Sequence, residues 1–360
     1  MYYNSCIVKS FYSGKKILVT GGAGFIGSAL IDELIRLGAE TTIGDNLSTG
    51  SLKNVFRVWN KHGFFCKKNS KGYTTNNKHK LVLVDFQDFE KTRDLLKGYE
   101  IVLHLAANIG GRGYIDTHPG DCCEGFSVNQ NVIKAAHLAN VDRILFASSA
   151  CVYPNDLQKN YGSEYLLKEE DAIKNNWGNA DKEYGWAKLM GEITLQGYNK
   201  QYGLKGVSTR YVTAYGPWEN DTHAIIALIR RAVEKNDPYV IWGSGKQDRD
   251  FTYVDDIVSG TLAACEKITD ASSINLGTSV RYTMRESVDI IFDILNWKPK
   301  KIVCDKTKPE GVKTRALDIK RAKKVLNWKP KYTLRIGLAK TIEWFLKEKP
   351  RTVDPLLRHG

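Results

Sequence analysis

The chain has no apolar run approaching the ~20 residues that a membrane-crossing helix needs. It also lacks any Cys-x-x-Cys pair. Its seven cysteines, at 6, 66, 122, 123, 151, 265 and 304, are odd in number and scattered. Such spacing predicts neither a disulfide framework nor a metal site, and free thiols fit a reducing, cytoplasmic setting. The stretch Met1 to Gly14 has no long apolar core and no small-residue cleavage site, so it reads as a frayed extension and not a secretion signal. No internal repeat is present; the echo of Asn296-Trp297-Lys298-Pro299-Lys300 in Asn327-Trp328-Lys329-Pro330-Lys331 reads as two helix ends capped alike. Acidic residues are the minority: 40 Asp+Glu face 53 Lys+Arg, a net charge of +13. That balance admits nucleic acid, a membrane surface or a small anionic substrate. The basic stretches, Lys61 to Lys80 and Lys298 to Lys331, do not alternate bases with aromatics as a single-strand surface would. The expectation is a solvated surface with a few cations aimed at a substrate diphosphate, and neither nucleic acid nor membrane as partner.

What is present is an alternation of strand and helix. Lys16 to Thr20 is a short apolar run leading into glycines, and Phe25 to Leu37 has helical spacing closed by Gly38. Ala39 to Gly44, Leu81 to Val84, Ile101 to Leu105 and Arg143 to Ala147 read as further strands, with helical stretches such as Val128 to Ala139 between several of them. The alternation predicts an α/β fold with a Rossmann-type, doubly wound parallel sheet. The Asn- and Lys-rich segment from Arg57 to His79 breaks the rhythm and reads as a surface insertion. From Pro217 onward helices (Ile225 to Val233, Ser287 to Leu295, Leu338 to Leu346) mix with short strands. The expected organisation is a dinucleotide-binding domain over 15–216, with a return segment near 251–265, and a smaller mixed α/β substrate domain over 217–350.

Gly21-Gly22-Ala23-Gly24-Phe25-Ile26-Gly27 follows a strand and opens a helix, the context that gives a glycine motif meaning. Gly21 permits the turn, Gly24 lets backbone amides reach a pyrophosphate at the helix N-terminus, and Gly27 lets the helix pack on the sheet. Asp45, 18 residues after Gly27, can accept from both ribose hydroxyls. A carboxylate there repels a 2′-phosphate, so NAD is expected over NADP. Asn46, Asp85, Phe86, Leu105, Ala106 and Ala107, at the ends of later strands, complete the expected cofactor contacts. Tyr184 and Lys188 stand one helical turn apart. A nearby ammonium and a positive nicotinamide both favour phenolate, and lowering a phenol from about 10 to near 7 takes ~4 kcal/mol. Tyr184 could then take a hydroxyl proton while hydride leaves the same carbon, with Ser149 holding that oxygen.

On these residues the chain resembles the extended short-chain dehydrogenase/reductase family of nucleotide-sugar enzymes, over roughly residues 15–348. Ser148-Ser149-Ala150-Cys151-Val152-Tyr153-Pro154 is similar to the branch holding GDP-mannose 3,5-epimerase and GDP-L-fucose synthase, where most other members carry Thr at the place of Cys151. Asn108-Ile109-Gly110-Gly111-Arg112-Gly113-Tyr114, Trp242-Gly243-Ser244-Gly245 with Arg249-Asp250-Phe251, and Pro309-Glu310-Gly311-Val312 resemble the same branch. The resemblance implies that Cys151 and a second base flank the sugar ring. His223 aligns with the histidine of the fucose synthase, where the mannose epimerase has lysine. It implies substrate contacts from Gly110, Gly111, Arg112, Arg249, Lys313 and Arg315, a nicotinamide contact from Asn129, and a homodimer built on the helices around 128–139 and 184–202. Thr213 stands where these relatives usually carry a substrate-touching Asn, and the basic insertion has no counterpart.

Chemistry agrees with the pairing of Cys151 and His223. Once C4 of a sugar is a ketone, the protons on C3 and C5 become acidic. A thiol (pKa ~8.5) and an imidazole (~6.5) sit close enough to neutrality to remove or return them. The leading expectation is an NAD-dependent nucleotide-sugar epimerase inverting C3, C5 or both through a 4-keto intermediate. A C4 dehydrogenase, an epimerase/reductase and a simple 4-epimerase are the alternatives. A 4,6-dehydratase usually presents an Asp-Glu pair near the position of Cys151, and none is there. The intact Ser149, Tyr184 and Lys188 disfavour a dinucleotide sensor or RNA binder of the same fold.

Overall fold

Hydrophobic spacing builds the first layer. In the helix Phe25–Arg36 the buried residues Gly27, Leu30, Ile31 and Leu34 form one stripe, and it packs beside the buried strand Lys16–Thr20. The computed structural model describes residues 10–75, 78–108, 110–173, 179–220 and 223–348. Residues 1–9 of the expected extension, Asn76 and Asn77 of the insertion, Ile109 of the glycine-rich loop and the last residues of the 217–350 span lie outside the described residues.

The elements are β1 (Lys16–Thr20), α1 (Phe25–Arg36), β2 (Glu40–Asp45), α2 (Leu52–Lys61), β3 (Lys67–Asn69), β4 (Gly72–Thr74), β5 (Lys80–Leu83), α3 (Phe89–Leu95), β6 (Ile101–His104), α4 (Arg112–Thr117), α5 (Pro119–Leu138) and β7 (Arg143–Ser149). Then follow α6 (Lys182–Tyr202), β8 (Lys205–Tyr211), β9 (Thr213–Tyr215), α7 (Ala224–Val233), β10 (Tyr239–Trp242), β11 (Asp248–Arg249), β12 (Phe251–Tyr253), α8 (Val254–Lys267), β13 (Asp270–Leu276), β14 (Tyr282–Thr283), α9 (Met284–Leu295), β15 (Ile302–Asp305) and α10 (Leu334–Glu348).

The large sheet runs β13-β8-β7-β6-β1-β2-β5-β4-β3, parallel from β13 to β5 and antiparallel at the β4 and β3 edge. Strands covered by helices on both faces read as unbroken apolar runs, and β6 is buried throughout. The order reverses at β1: β2 lies on one side and β6 on the other. A crevice therefore opens at the carboxyl ends of these strands. Smaller pairings, β9 with β12, β10 with β15 and β11 with β14, accompany α7, α9 and α10. Between them α8 packs on α1 and β8, and β13 returns to the edge of the large sheet. Among the described residues no helix is long and apolar enough to cross a membrane.

The segment from Arg57 to His79 is not a surface insertion throughout. Its first residues finish α2, where Val55, Val58 and Trp59 are buried at helical spacing. Arg57 falls inside that helix, so its period shows only across the boundary. Beyond α2 comes the β3–β4 hairpin, whose Lys67, Lys68 and Asn69 are exposed. Lysines on a bare edge strand discourage pairing with other chains.

Two close approaches set the position of α6. A Cβ on Gly185 would run into the carbonyl oxygen of Cys151, and one on Gly191 into the Phe146 ring. Gly185→Val is expected to lower stability by ~3 kcal/mol through overpacking, read as a drop in the urea midpoint. An unchanged midpoint would show that α6 has room to move away from the turn at Cys151.

Candidate active site

The crevice at the strand reversal holds about 240 Å³ and gathers every expected cofactor residue except Asn129. Gly21 has φ +68°, and a Cβ there would also press on the Ala106 amide nitrogen at 2.8 Å. A Cβ on Gly27 would strike the Gly21 carbonyl oxygen, so the third glycine closes the helix onto its own turn and not onto the sheet. Gly24 caps α1 without a side-chain hydrogen bond, which leaves the first amides directed outward for an anion. Asp45 is buried, and its Oδ2 accepts from the Ala23 amide at 3.0 Å while Oδ1 accepts from Leu47 at 2.8 Å. Each oxygen keeps a lone pair for a ribose hydroxyl. Burial raises the Asp45 pKa, and the two amide bonds oppose that rise. These residues fit NAD.

Tyr184 and Lys188 share a buried stripe of α6 with Ala187, Gly191 and Leu195. The Lys188 ammonium donates to the Ala147 carbonyl at 2.7 Å and lies 5.7 Å from the centre of the Tyr184 ring. Burial pushes Lys188 down to about 8. Burial also raises the Tyr184 phenol, the neighbouring Cys151 thiol adds to the rise, and the Ser149 hydroxyl opposes it. In the protein alone, desolvation favours the neutral phenol. Asn129 stands one layer behind the crevice. Its Nδ2 donates to the Ala187 carbonyl at 3.0 Å, and its Oδ1 meets His104 Nε2 at 3.1 Å. His104 Nδ1 in turn meets the Thr20 hydroxyl at 2.8 Å. Burial holds His104 down to about 3, so the ring is neutral. An Nε2–H tautomer satisfies both contacts.

Cys151 lies in a short helical turn, Ala150–Val152, where its amide donates to Ser149 Oγ at 3.1 Å. Its sulfur packs beside Tyr184, Ile115 and Cys122 and accepts from Arg315 Nη1 at 3.2 Å. Arg315 and Arg112 grip the two oxygens of Asp181 at 2.8 and 2.9 Å. Burial alone would raise Asp181, but Arg315 and Arg112 hold it down to about 2. Arg249 donates to the carbonyls of Asp248 and Glu310, at 2.7 and 3.1 Å. Burial and then Arg315 push Arg249 down to about 10. Gly111 caps α4 and so delivers Arg112, with Gly110 packed against Tyr114. Lys313 stands apart: it is exposed, with its ammonium 4.9 Å from the Tyr161 ring centre. Thr213 is half-buried at the start of β9, opposite Phe251. His223 caps α7, lines the crevice, and places Nδ1 2.7 Å from Glu219 Oε1.

The family model for the NAD dependent epimerase/dehydratase family matches residues 17–277. The chain belongs to that family. NAD is therefore its cofactor, and the activity is that of an epimerase/dehydratase enzyme. A putative UDP-glucose 4-epimerase of Methanocaldococcus jannaschii is 30% identical over 93% of this chain and 100% of its own length. GDP-mannose 3,5-epimerase of Arabidopsis thaliana is 30% identical over 94% of this chain and 85% of its length. The crystal structure of UDP-glucose 4-epimerase with UDP-glucose from Thermotoga maritima covers 93% of this chain and 100% of its own, with a TM-score of 0.78 and 26% identity.

Within this epimerase/dehydratase, three polar residues of the site escaped sequence reasoning. Asp181 precedes a helix and reads as an N-cap, yet its side chain makes no cap bond and serves the arginines. His104 sits in a buried strand and reads as core. Glu219 sits in a polar loop where acids are unremarkable, and only its burial marks it.

Proposed function

We propose that this family member is an NAD-dependent nucleotide-sugar epimerase that inverts C3, C5 or both, the positions in the name of GDP-mannose 3,5-epimerase, and does so through a transient 4-keto sugar. The observation that carries the reading is Cys151: a thiol packed on Tyr184 and held by Arg315. An enzyme that only inverts C4 needs no thiol there. When bound, NAD supplies the hydride acceptor and donor. Tyr184 takes the C4 hydroxyl proton while Ser149 holds the oxygen. Cys151 and His223 then remove and return protons at the acidified carbons from opposite faces. Arg112, Arg249 and Arg315 form the seat for the diphosphate, a use suited to planar, bidentate guanidinium.

Further parts of the reading are a sugar-binding portion over 217–350, a cytoplasmic setting, a GDP-sugar substrate, and no nucleic acid partner. A homodimer through α5 and α6 is supported by Phe126, Leu138, Met190 and Tyr202, large apolar side chains left exposed on those helices.

The test is a panel of GDP-, UDP-, ADP- and dTDP-sugars incubated in deuterated buffer and read by mass and NMR. Deuterium is expected at carbon-bound positions with one of them, and absence of uptake with all refutes the reading. Cys151→Ala and His223→Ala are each expected to lose exchange at one carbon by roughly a hundredfold while NAD stays bound. A simple 4-epimerase is the second reading, favoured by the end-to-end match to the M. jannaschii protein. Full activity of both variants on a UDP-sugar would establish it, and stoichiometric NADH would instead establish net oxidation.

A further inference from the structure

Glu219 has no part in the reaction described so far, yet it is built like a working group. Its side chain is 2% exposed. One oxygen, Oε1, lies 2.7 Å from His223 Nδ1. The other, Oε2, is buried without a hydrogen-bond partner among the described residues. A carboxylate that only props a loop is expected to satisfy both oxygens or to sit at the surface. Its neighbour Trp218 is fixed from outside. Trp218, at φ +72°, places its ring 4.5 Å from the Arg57 guanidinium and 5.5 Å from Trp344. The Glu219 amide donates back to the Gly216 carbonyl at 3.4 Å. Glu219 thus meets His223 from a held backbone and not from a flexible one.

We propose that Glu219 is the positioning residue of His223, fixing its ring with Nδ1–H toward the carboxylate and Nε2 as the nitrogen that exchanges protons with substrate. The proposal rests on the epimerase reading for the use of that proton, but the pairing itself does not. With Nδ1 committed, one neutral tautomer is selected and the ring cannot turn away. Burial raises the Glu219 carboxyl and the imidazole opposes that rise; the ionised carboxylate in turn favours the imidazolium, the form that returns a proton. In that step the proton passes from Nε2 to the ring carbon of the sugar enolate, the enolate charge is quenched, and neutral imidazole remains donating to a carboxylate that keeps its charge. Among the described residues, the other titratable groups lining the crevice are Tyr184 and Lys188 on α6, Tyr211 at the end of β8, and Asp45 and Asp85 where β2 and β5 run out. Among the described residues, the Glu219 carboxylate lies within hydrogen-bond distance of the ring.

The experiment follows the His223 ring directly by NMR titration in the full, NAD-loaded protein, beside deuterium exchange kinetics. Glu219→Gln keeps shape and removes charge. It is expected to move the His223 titration to lower pH by about a unit, to move the acid limb of exchange the same way, and to cut kcat roughly tenfold to a hundredfold with KM unchanged. Glu219→Asp is expected to recover part of the titration shift. A Gln variant that loses thermal stability but keeps the wild-type titration and pH profile overturns the proposal, since a propping role alone would do that. If the titration moves as expected while His223→Ala exchanges at the full rate, the pairing stands and the epimerase use of His223 falls.

Discussion

Tyr184→Phe is expected to lower turnover on the cognate sugar nucleotide by roughly a thousandfold to ten-thousandfold while NAD stays bound. Phenylalanine fills the same space against Ile115 and Cys122, so packing changes little. What is lost is one oxygen, the atom that the proposed reaction uses to exchange the C4 hydroxyl proton. In the protein alone that phenol is strongly biased toward its neutral form, first by burial and then by the Cys151 thiol. Deprotonation therefore needs positive charge at the crevice, and the Lys188 ammonium, bonded to the Ala147 carbonyl, stands 5.7 Å from the ring centre. The variant separates chemistry from binding: retained NAD, measured after denaturation, and an unchanged melting temperature mark an intact fold. Turnover within tenfold of wild type under those conditions would remove Tyr184 from the proton path.

The parts of this site that were legible in the sequence are the local ones. The glycine turn, the acid closing β2 and the Tyr184/Lys188 stripe each depend on spacing within one or two adjacent elements, and spacing is what a sequence records. The parallel sheet follows from the same alternation, although β8 and β13 are missing from it, because Lys205 to Tyr211 and Asp270 to Leu276 mix polar residues with their apolar ones. Contacts made across the fold were not legible. Asp181 meets Arg112 at a separation of 69 residues and Arg315 at 134. Nothing along the chain ties those positions together, and an Asp before a helix already has an ordinary explanation as a cap. Asn129 was read as a cofactor contact, whereas its amide is committed to His104 and the backbone of α6. Only the folded chain shows that the strand carrying His104 and the helix carrying Tyr184 are tied through it.

Asp181→Asn is expected to destabilise the protein by ~3–5 kcal/mol, because it strands two guanidiniums that share a buried carboxylate. Asp181 has a side chain only 3% exposed, and the Arg315 side chain is 10% exposed, so solvent screens the pair little. The pH dependence has a definite sign. Asp181 titrates near 4 when unfolded and is held down to about 2 when folded. A depressed carboxylate contributes its stability above the unfolded value and loses it as pH falls through the folded one. The gap between wild type and the Asn variant should therefore be full above about pH 4 and should close toward about pH 2, measured by urea unfolding across that range. The same cluster predicts how the loss is repaired. Without Asp181, the charges on Arg112, Arg249 and Arg315 repel one another, and a bound diphosphate is the natural counter-charge. Saturating nucleoside diphosphate should then raise the melting temperature of Asp181→Asn more than that of wild type. An equal or smaller gain in the variant would mean that Asp181 orients the arginines for the anion instead of balancing them in its place, and the diphosphate seat would have to include the carboxylate as a structural member.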